Sequence, residues 1–331
     1  MKAQVIKKFG DSSVFELEDI PKPEAISGHV VIQVKATSVN PIDTKVRSGA
    51  VAAVAPEFPA VLHGDVAGVV SEVGEGVTNF KVGDEVYGCA GGFKGTGGAL
   101  AEYMLADAQL LAPKPKNLTM AQAASLPLVT ITAWESLFNR GNVHRSQDVL
   151  VHAATGGVGH VAIQLAKHAG ANVFATASTD EKLSIGKRLG ADVVINYREQ
   201  SVEEYVKEYT NGKGFDVVFD TVGGENLDRS FQAAAMYGTV LGIAARSTHD
   251  LSPLHGKALS LHITFMLLKI LNKEHRQDHG EILREVTKLV EEGKLQPLVE
   301  EKSFTFDQVS EAHALLESNQ ALGKVVLTNE W

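Results

Sequence analysis

The amino-acid sequence predicts an α/β protein, in which a doubly wound parallel sheet is joined to a second domain rich in β-strands. From about residue 149 onward, short apolar runs alternate with helical segments, a pattern typical of parallel strands with helices on both faces. Before about residue 120, glycine residues separate many short strand-like segments, which favours a small β-barrel. A chain of 331 residues is long enough to form two sizeable cores.

The composition excludes several classes of protein. A net charge of −9 argues against a nucleic-acid partner, because such proteins normally present a basic face. The single cysteine, Cys89, excludes an intrachain disulfide and any multi-cysteine zinc site. The most apolar segment, Leu259–Leu271, is interrupted by His262 and Lys269 and is too short to span a bilayer. We therefore expect no membrane association and a cytoplasmic location.

The predicted elements follow in chain order. In the first domain, apolar and polar residues alternate over residues 30–36, as in a strand, and helices are predicted at Met120–Ala124 and Thr132–Arg140. Six apolar segments are predicted as strands of the parallel sheet: Val149–Ala154, Val173–Thr176, Val193–Asn196, Val217–Asp220, Thr239–Ile243 and Leu259–Phe265. Helices between them are predicted at His160–His168, Asp180–Leu189 and Val202–Tyr209. A tail with a helix at Gly280–Glu292 and a strand at Gly323–Thr328 is expected to return to the first domain.

A glycine-rich loop stands between the first strand and the first helix of this sheet. It reads Ala154-Thr155-Gly156-Gly157-Val158-Gly159. Small residues let the backbone approach a pyrophosphate, and the helix start supplies amide donors and a partial positive charge. The alternative is a tight structural turn that binds nothing, but the surrounding strand–helix repeat favours a dinucleotide site.

The end of the second strand indicates which dinucleotide binds. NAD sites usually place an acid there, whereas this strand ends in Ala177, Ser178 and Thr179. Lys182 follows within one turn, and Tyr197 ends the third strand, so a hydroxyl, a cation and an aromatic edge are available for a 2′-phosphate. We therefore predict NADPH. The alternative is that Lys182 is a solvated surface charge, and the nearby Asp180 weakens the prediction.

Several motifs follow one another over nearly the whole chain: Asn40-Pro41-Ile42-Asp43, Asp65–Val70 with Phe80–Val86, Gly98–Tyr103, Ala153–Gly159, Asp220–Gly224 and Gly323–Leu327. In these motifs and their order the chain resembles the medium-chain dehydrogenase/reductase superfamily. It is most similar to the zinc-independent quinone oxidoreductase branch, the zeta-crystallin-like group. The resemblance implies a GroES-like catalytic domain at residues 1–124 and 269–331 and a Rossmann dinucleotide-binding domain at residues 125–268.

The resemblance also bears on whether the protein binds a zinc ion. Zinc-dependent relatives carry a cysteine near the position of Asn40 and a Gly-His-Glu triplet, whereas this chain reads His63-Gly64-Asp65. Gly64 therefore occupies the ligand position, and we expect no metal. His63 is expected to be a turn or packing residue rather than a stray ligand. Without a Lewis acid, alcohol oxidation is disfavoured and reduction of an already electrophilic acceptor is favoured.

The resemblance implies a set of site residues. Around NADPH it places Asn40, Thr132, Thr155, Gly156, Gly157, Val158, Gly159, Ser178, Lys182, Tyr197, Val222, Ile243 and Lys324. Asn40, Lys45 and Thr132 are the expected catalytic residues, with Asn40 donating a hydrogen bond to the oxyanion formed from the acceptor. Lys45 stands where the branch often has tyrosine, so it is either a donor in the acceptor pocket or an exposed lysine.

We therefore expect an NADPH-dependent reductase of quinones or related α,β-unsaturated carbonyl compounds. The first alternative is a 2-alkenal or enone double-bond reductase of the same fold. The second is a non-catalytic NADPH-binding protein, and acyl-thioester reduction is a weaker third because the run Gly49-Ala50-Val51 lacks the tyrosine of that branch. A homodimer is expected, since the fifth and sixth strands leave a sheet edge that a second chain can cover.

Overall fold

The computed structural model describes all 331 residues, which form two compact units. The first unit comprises Met1–Ile131 and Leu267–Trp331, and the second comprises Thr132–Met266. The sequence-based boundaries lie at 124/125 and 268/269 instead. The first boundary differs because the start of a helix at Pro127 belongs to the first unit, where the Leu128 N–H donates to Asp65 Oδ1 at 2.8 Å.

The elements of the chain are as follows. The strands are β1 (Lys2–Ile6), β2 (Phe15–Asp19), β3 (His29–Ser38), β4 (Ala60–Val61), β5 (Asp65–Val73), β6 (Glu85–Cys89), β7 (Tyr103–Asp107), β8 (Leu111–Pro113), β9 (Asp148–Val151), β10 (Asn172–Ala177), β11 (Val193–Asn196), β12 (Phe215–Asp220), β13 (Ala234–Gly242), β14 (Ser260–Ile263), β15 (Phe304–Thr305) and β16 (Val326–Thr328). The helices are α1 (Pro41–Ser48), α2 (Met120–Ala124), α3 (Pro127–Trp134), α4 (Gly157–His168), α5 (Asp180–Arg188), α6 (Val202–Thr210), α7 (Glu225–Ala233), α8 (Ser252–Lys257), α9 (Leu267–Asn272), α10 (Gln277–Glu291) and α11 (Val309–Glu317).

The first unit is built on antiparallel pairing around the long strand β3. This strand pairs with β5 and β7, and its carboxyl end pairs with β16 from the end of the chain. The sheet runs β15-β16-β3-β5-β6-β8, and a separate three-stranded sheet runs β2-β1-β4. Because β16 joins β3 next to α1, the pairing brings the last residues of the chain to the motif that begins at Asn40.

The second unit is a six-stranded parallel sheet in the order β11-β10-β9-β12-β13-β14. The apolar residues of its central strands, such as Val149–Val151 of β9, are fully buried, as expected for strands covered on both faces. The carboxyl ends of all six strands lie at one edge. The strand order reverses between β9 and β12, so that edge has a topological switch point.

Several elements differ from the sequence-based prediction. The helix predicted at Thr132–Arg140 is the end of α3 followed by a π-helical segment, Glu135–Arg140. The strand predicted to reach Ala154 ends at Val151, because Ala153 adopts a left-handed φ of 58°. Helices α1, α7, α8, α9 and α11 have no counterpart in the prediction. No helix of the chain is both long and apolar enough to cross a membrane.

Candidate active site

The loops at the carboxyl edge of the parallel sheet hold most of the predicted cofactor residues. Thr155–Gly159 follow β9, Ser178 and Lys182 follow β10, Tyr197 follows β11, Val222 follows β12 and Ile243 follows β13. In open α/β sheets, ligands bind outside this edge, next to the switch point. The fold thus brings together five segments that are far apart in sequence and that all belong to the second unit.

The loop after β9 leaves the start of α4 free to bind an anion. Gly156 is the N-cap of α4, and no side chain caps the helix there. The first amides of the helix therefore lack side-chain partners and carry the positive end of the helix dipole. A Cβ atom at Gly159 would lie 2.0 Å from the Ala153 carbonyl oxygen, so only glycine allows the helix to pass this close to the loop. This loop fits a dinucleotide pyrophosphate.

Hydrogen bonds to two neighbouring strands fix the shape of this loop. The Ala154 N–H donates to the Thr176 carbonyl at 2.9 Å, and Thr221 Oγ1 donates to the His152 carbonyl at 2.7 Å. The His152 ring is buried against Thr176, with 3.1 Å between Nδ1 and Oγ1. Burial lowers the pKa of His152 to about 4, so the imidazole is neutral near pH 7. The loop is therefore rigid and carries no added histidine charge.

The residues predicted to surround a 2′-phosphate lie after β10 and β11. Thr179 caps α5, accepting a hydrogen bond from the Lys182 N–H at 3.3 Å. Lys182 is partly exposed and forms no ion pair, and the Tyr197 side chain is about half exposed. The acid that NAD sites carry at the end of the second strand is absent, since β10 ends in Ala177. A hydroxyl, a free cation and an aromatic edge are thus open to a ligand.

In the first unit, the motif that begins at Asn40 forms the start of α1. Asn40 is the N-cap, and its backbone N–H donates to Asp43 Oδ2 at 2.8 Å. Proline at the first helical position has no N–H to satisfy and already has a helical φ. The Asn-Pro-Ile-Asp sequence therefore encodes a helix start, with Asn40 and Asp43 fully buried.

Four side chains form what we call the Asn40 cluster: Asn40, Asp43, Asp65 and Lys324. Asn40 Nδ2 donates to Asp65 Oδ2 at 2.8 Å, and the Lys324 ammonium donates to Asn40 Oδ1. Lys324 Nζ also contacts the Val39 carbonyl at 3.1 Å and Asp65 Oδ2 at 3.5 Å. The positively charged group that contacts the Asn40 carboxamide is therefore the side chain of Lys324.

Burial controls the charges of this cluster. It raises the pKa of Asp43 to about 7, and hydrogen bonds from the Asn40 backbone and side chain and the charge of Lys324 only partly oppose that rise. Burial also lowers the pKa of Lys324, against the opposing effect of the Asp65 and Asp43 carboxylates. Near neutral pH, Asp43 is therefore close to its titration point.

The three predicted catalytic residues have different environments. Asn40 is fully buried, with its carboxamide between Asp65 and Lys324. Lys45 lies on the exposed face of α1 and forms no ion pair, while Thr132 is buried near the end of α3. A direct contact of any of the three with an acceptor stays a prediction, as does a contact between Lys324 and NADPH.

His63 is a turn and packing residue, as the sequence suggests. Its φ of 73° is left-handed, and its buried ring lies 2.8 Å from His313, measured between the two Nε2 atoms. Thr37 contacts the other side of His63, with 3.3 Å between Oγ1 and Nδ1, and Arg47 lies 3.2 Å from Nδ1 of His313. Burial lowers the pKa of His63 to about 3. The sequence analysis missed the partners because His313 is 250 residues away.

The chain contains no group of three or more His, Cys, Asp or Glu side chains placed to hold a metal ion.

Sequence analysis also missed the role of Asp65, which contacts Ser38 and Leu128 in addition to the Asn40 cluster. The only available signal was that Asp65 and Lys324 fall inside recognisable motifs, and the motifs do not reveal that the two residues meet.

The fold and the sheet-edge loops define a two-domain, dinucleotide-dependent oxidoreductase. Residues 26–116 match the alcohol dehydrogenase GroES-like domain, and residues 189–327 match the zinc-binding dehydrogenase family. An NADPH-dependent alkenal/one oxidoreductase of Arabidopsis thaliana chloroplasts is 36% identical over 99% of this chain and 79% of its own length.

Two solved structures extend the comparison. An alcohol dehydrogenase superfamily protein of Novosphingobium aromaticivorans superposes with a TM-score of 0.94 at 40% identity, covering 99% of both chains. The Escherichia coli quinone oxidoreductase complexed with NADPH gives a TM-score of 0.88 at 29% identity, covering 99% of this chain and all of that one. The chain belongs to the medium-chain dehydrogenase/reductase superfamily, in its quinone oxidoreductase branch. These comparisons confirm the predicted family, fold class and oxidoreductase class.

Proposed function

We propose that the protein reduces conjugated carbonyl compounds, either quinones or α,β-unsaturated ketones and aldehydes, with NADPH and without a metal ion. The observation that carries this proposal is the carboxyl edge of the parallel sheet, where an uncapped helix start and the free cation of Lys182 lie in neighbouring loops. Relatives named for NADPH support the same cofactor.

The residues that would hold the cofactor lie in these loops. The amides of Gly157–Gly159 bind the pyrophosphate, and Ser178, Lys182 and Tyr197 surround the 2′-phosphate. Val222 and Ile243 line the edge further along. When bound, NADPH supplies the hydride, and the protein orients the acceptor and excludes water.

Hydride addition to a conjugated carbonyl leaves negative charge on an oxygen. Lys45 is suited to stabilise that charge, because its exposed ammonium has no competing ion pair. Asn40 is the N-cap of the same helix. The hydrogen bond predicted from its carboxamide to the acceptor competes with the hydrogen bond that this carboxamide donates to Asp65. Thr132 is the third proposed residue. A conjugated acceptor is already electrophilic, so no Lewis acid is required, which agrees with glycine at position 64.

Lys45 favours the enone reaction over the quinone reaction. An enolate concentrates charge on one oxygen, whereas a reduced quinone spreads it over a ring, so the enolate gains more from a nearby ammonium. We therefore expect Lys45→Met to slow hydride transfer to a 2-alkenal about a hundredfold and to a quinone distinctly less. Single-turnover decay of NADPH absorbance with each acceptor measures both effects.

Two control variants frame this test. Lys45→Arg retains the charge and should recover most of the rate, and Lys213→Met removes an exposed lysine of the second unit and should have no effect. Equal rates for the wild type and Lys45→Met would remove Lys45 from the reaction. Tight NADPH binding without turnover of any acceptor would instead favour the non-catalytic alternative.

We also propose a homodimer that forms along β14. This strand is an edge of the parallel sheet, and Ile263 and Phe265 at its end are 43% and 38% exposed. An edge strand with apolar residues is a template for pairing, because its outer backbone N–H and C=O groups are unpaired. The same strand of a second copy of the chain can pair with these groups symmetrically. Light scattering at micromolar concentration should give a dimer for the wild type and a monomer for Ile263→Lys. A monomeric wild type would contradict the proposal. The cytoplasm remains the predicted location.

A further inference from the structure

Lys324 has no hydrogen-bond donor left for a ligand. Its side chain is buried, with the residue 3% exposed, and a lysine ammonium has three donors. Three acceptors of the first unit surround Nζ: Asn40 Oδ1, the Val39 carbonyl at 3.1 Å and Asp65 Oδ2 at 3.5 Å. A role in contacting a cofactor phosphate would require the ammonium to leave this site.

The contacts of Lys324 fix the orientation of the Asn40 carboxamide. The ammonium occupies the oxygen side, and the Asp65 carboxylate accepts from the nitrogen side at 2.8 Å. Rotating the amide by 180° would place its NH₂ group against the ammonium and its oxygen against the carboxylate. Both bonds involve a charged group and are therefore stronger than neutral ones. Asn40 is thus held in a single orientation at the N-cap of α1.

Asn40 in turn sets the start of α1. Its backbone N–H binds Asp43, its carbonyl accepts from the Asp43 N–H at 2.9 Å, and Lys45 follows within the same helix. The Val39 N–H donates to the carbonyl of Val325, one residue before β16, and the Val39 carbonyl accepts from Lys324. The helix therefore begins at a point determined by the last strand of the chain.

We infer that Lys324 is a positioning residue, whose buried ammonium locks Asn40 and the beginning of α1 rather than binding NADPH. The inference rests on the proposed function, in which α1 presents groups to the acceptor. Loss of the ammonium lets the helix start shift, which misplaces those groups while the cofactor loops of the second unit keep their structure.

The first test separates hydride transfer from cofactor binding in the full-length protein. We expect Lys324→Met to slow single-turnover oxidation of NADPH by a conjugated carbonyl about tenfold to a hundredfold, the usual cost of a small misplacement. The dissociation constant for NADPH, measured by titration of its fluorescence, should change by less than about twofold. A tenfold weaker affinity for NADPH with unchanged affinity for NADH would overturn the inference, because it would show contact with the 2′-phosphate.

Lys114→Met is a matched control. Lys114 is also a buried lysine of the first unit, and its ammonium contacts the carbonyls of Pro115 and Leu118 and the Glu85 carboxylate. It should destabilise the protein without slowing hydride transfer. If Lys324→Met does not fold, Lys324→Met combined with Asp65→Asn removes the unpaired buried charge. The same rates and affinities are then compared with those of Asp65→Asn alone, because Asp65 also orients Asn40.

A double-mutant cycle tests whether Lys324 acts through Asn40. Lys324→Met should slow hydride transfer no further when Asn40→Ala is already present, whereas additive losses would overturn the inference. A readout without turnover is the Asn40 side-chain ¹H–¹⁵N resonance, assigned by its absence in Asn40→Ala. It should exchange slowly with solvent in the wild type and change position in Lys324→Met. An unchanged resonance would overturn the inference even if no acceptor is ever found, and failure to reduce any acceptor would by itself count only against the proposed function.

Discussion

The two groups of candidate functional residues differ in how their polar groups are satisfied. At the sheet edge of the second unit, the first helix amides have no side-chain cap, and Ser178 and Lys182 are partly exposed. In the Asn40 cluster of the first unit, every charged group contacts another member and all four residues are buried. Open donors are suited to bind a ligand that arrives from solution, whereas a closed cluster is suited to hold backbone in place. The buried charges of the Asn40 cluster therefore fit the proposed positioning role, and the donors at the sheet edge fit the proposed binding of NADPH.

The largest expected effect comes from a substitution that disrupts the sheet-edge loops of the second unit, which we call the open region. Gly159→Ala places a methyl group 2.0 Å from the Ala153 carbonyl, so the loop or α4 must shift. We expect NADPH affinity to fall at least about a hundredfold, because the amides that bind the pyrophosphate move with the helix. Isothermal titration with NADPH measures this loss.

Gly256→Ala is the control for that substitution. Gly256 lies in α8 of the same unit, and a Cβ there would meet no atom within 4 Å. Its affinity for NADPH should equal that of the wild type. Normal NADPH binding by Gly159→Ala would mean that the loop is not the pyrophosphate site.

The next largest effect concerns the Asn40 cluster and the pH dependence of its contribution to folding stability. The pKa of Asp43 is raised to about 7 by burial, whereas an unfolded aspartate titrates near 3.8. Between these values the folded protein holds a proton that the unfolded chain releases, so this group makes stability fall as pH rises from about 4 to about 7. Asp43→Asn mimics the protonated carboxyl. It should therefore be more stable than the wild type at pH 7 to 8, and the gain should vanish near pH 4.

Urea unfolding at a series of pH values measures this gain. Over the titration window the difference between variant and wild type should change by about 1.4 kcal/mol per pH unit. The comparison of Asp307→Asn with wild type serves as a control, since Asp307 lies on the first unit outside the cluster. A constant loss of stability at every pH would show that ionised Asp43 supports the helix start and that the cluster is charged near neutrality.

The smallest expected effect sharpens the description of the open region. Removing the ammonium in Lys182→Ala should cost about 1.5–3 kcal/mol of NADPH affinity, or roughly tenfold to a hundredfold, if it binds the 2′-phosphate. NADH affinity should hardly change, because NADH lacks that phosphate. Titration of both cofactors against the wild type and the variant decides this.

Other outcomes of the Lys182 experiment are informative. A change of less than about twofold for both cofactors would make Lys182 a solvated surface charge. Equal losses for both would indicate a defect in the loop. A wild-type preference for NADH would direct attention to Asp180, which begins α5 in the same loop.

The local structure of the open region is predicted well from the sequence, because its strands and loops follow directly from local order. A glycine-rich loop after an apolar strand and the absence of an acid at Ala177–Thr179 are both visible within a few residues. Parallel strands then bring all their carboxyl ends to one edge, which extends the local pattern to the whole sheet. Strand β11 falls at the predicted Val193–Asn196 for the same reason.

The closed cluster follows from long-range pairing that no local pattern contains. Asn40 and Lys324 are brought together because β16 pairs with β3. The resemblance placed both residues near the cofactor and did not predict that they contact each other. Helices α7 and α11 were not predicted, since polar residues dominate the first and no glycine loop marks the start of the second. The predicted sixth strand is shorter than expected because β14 pairs only with β13.

The buried pair His63 and His313 has a consequence for where its hydrogen atoms lie. An arginine only donates, so Nδ1 of His313 must accept from Arg47, and the single ring hydrogen of a neutral His313 sits on Nε2. That hydrogen points to Nε2 of His63, which places the hydrogen of His63 on Nδ1, facing Thr37. The Thr37 hydroxyl then donates to the Asp65 carbonyl at 2.6 Å. The chain of donors runs in one direction from α1 to the strand that carries Asp65, and a proton added to either ring would point two donors at each other.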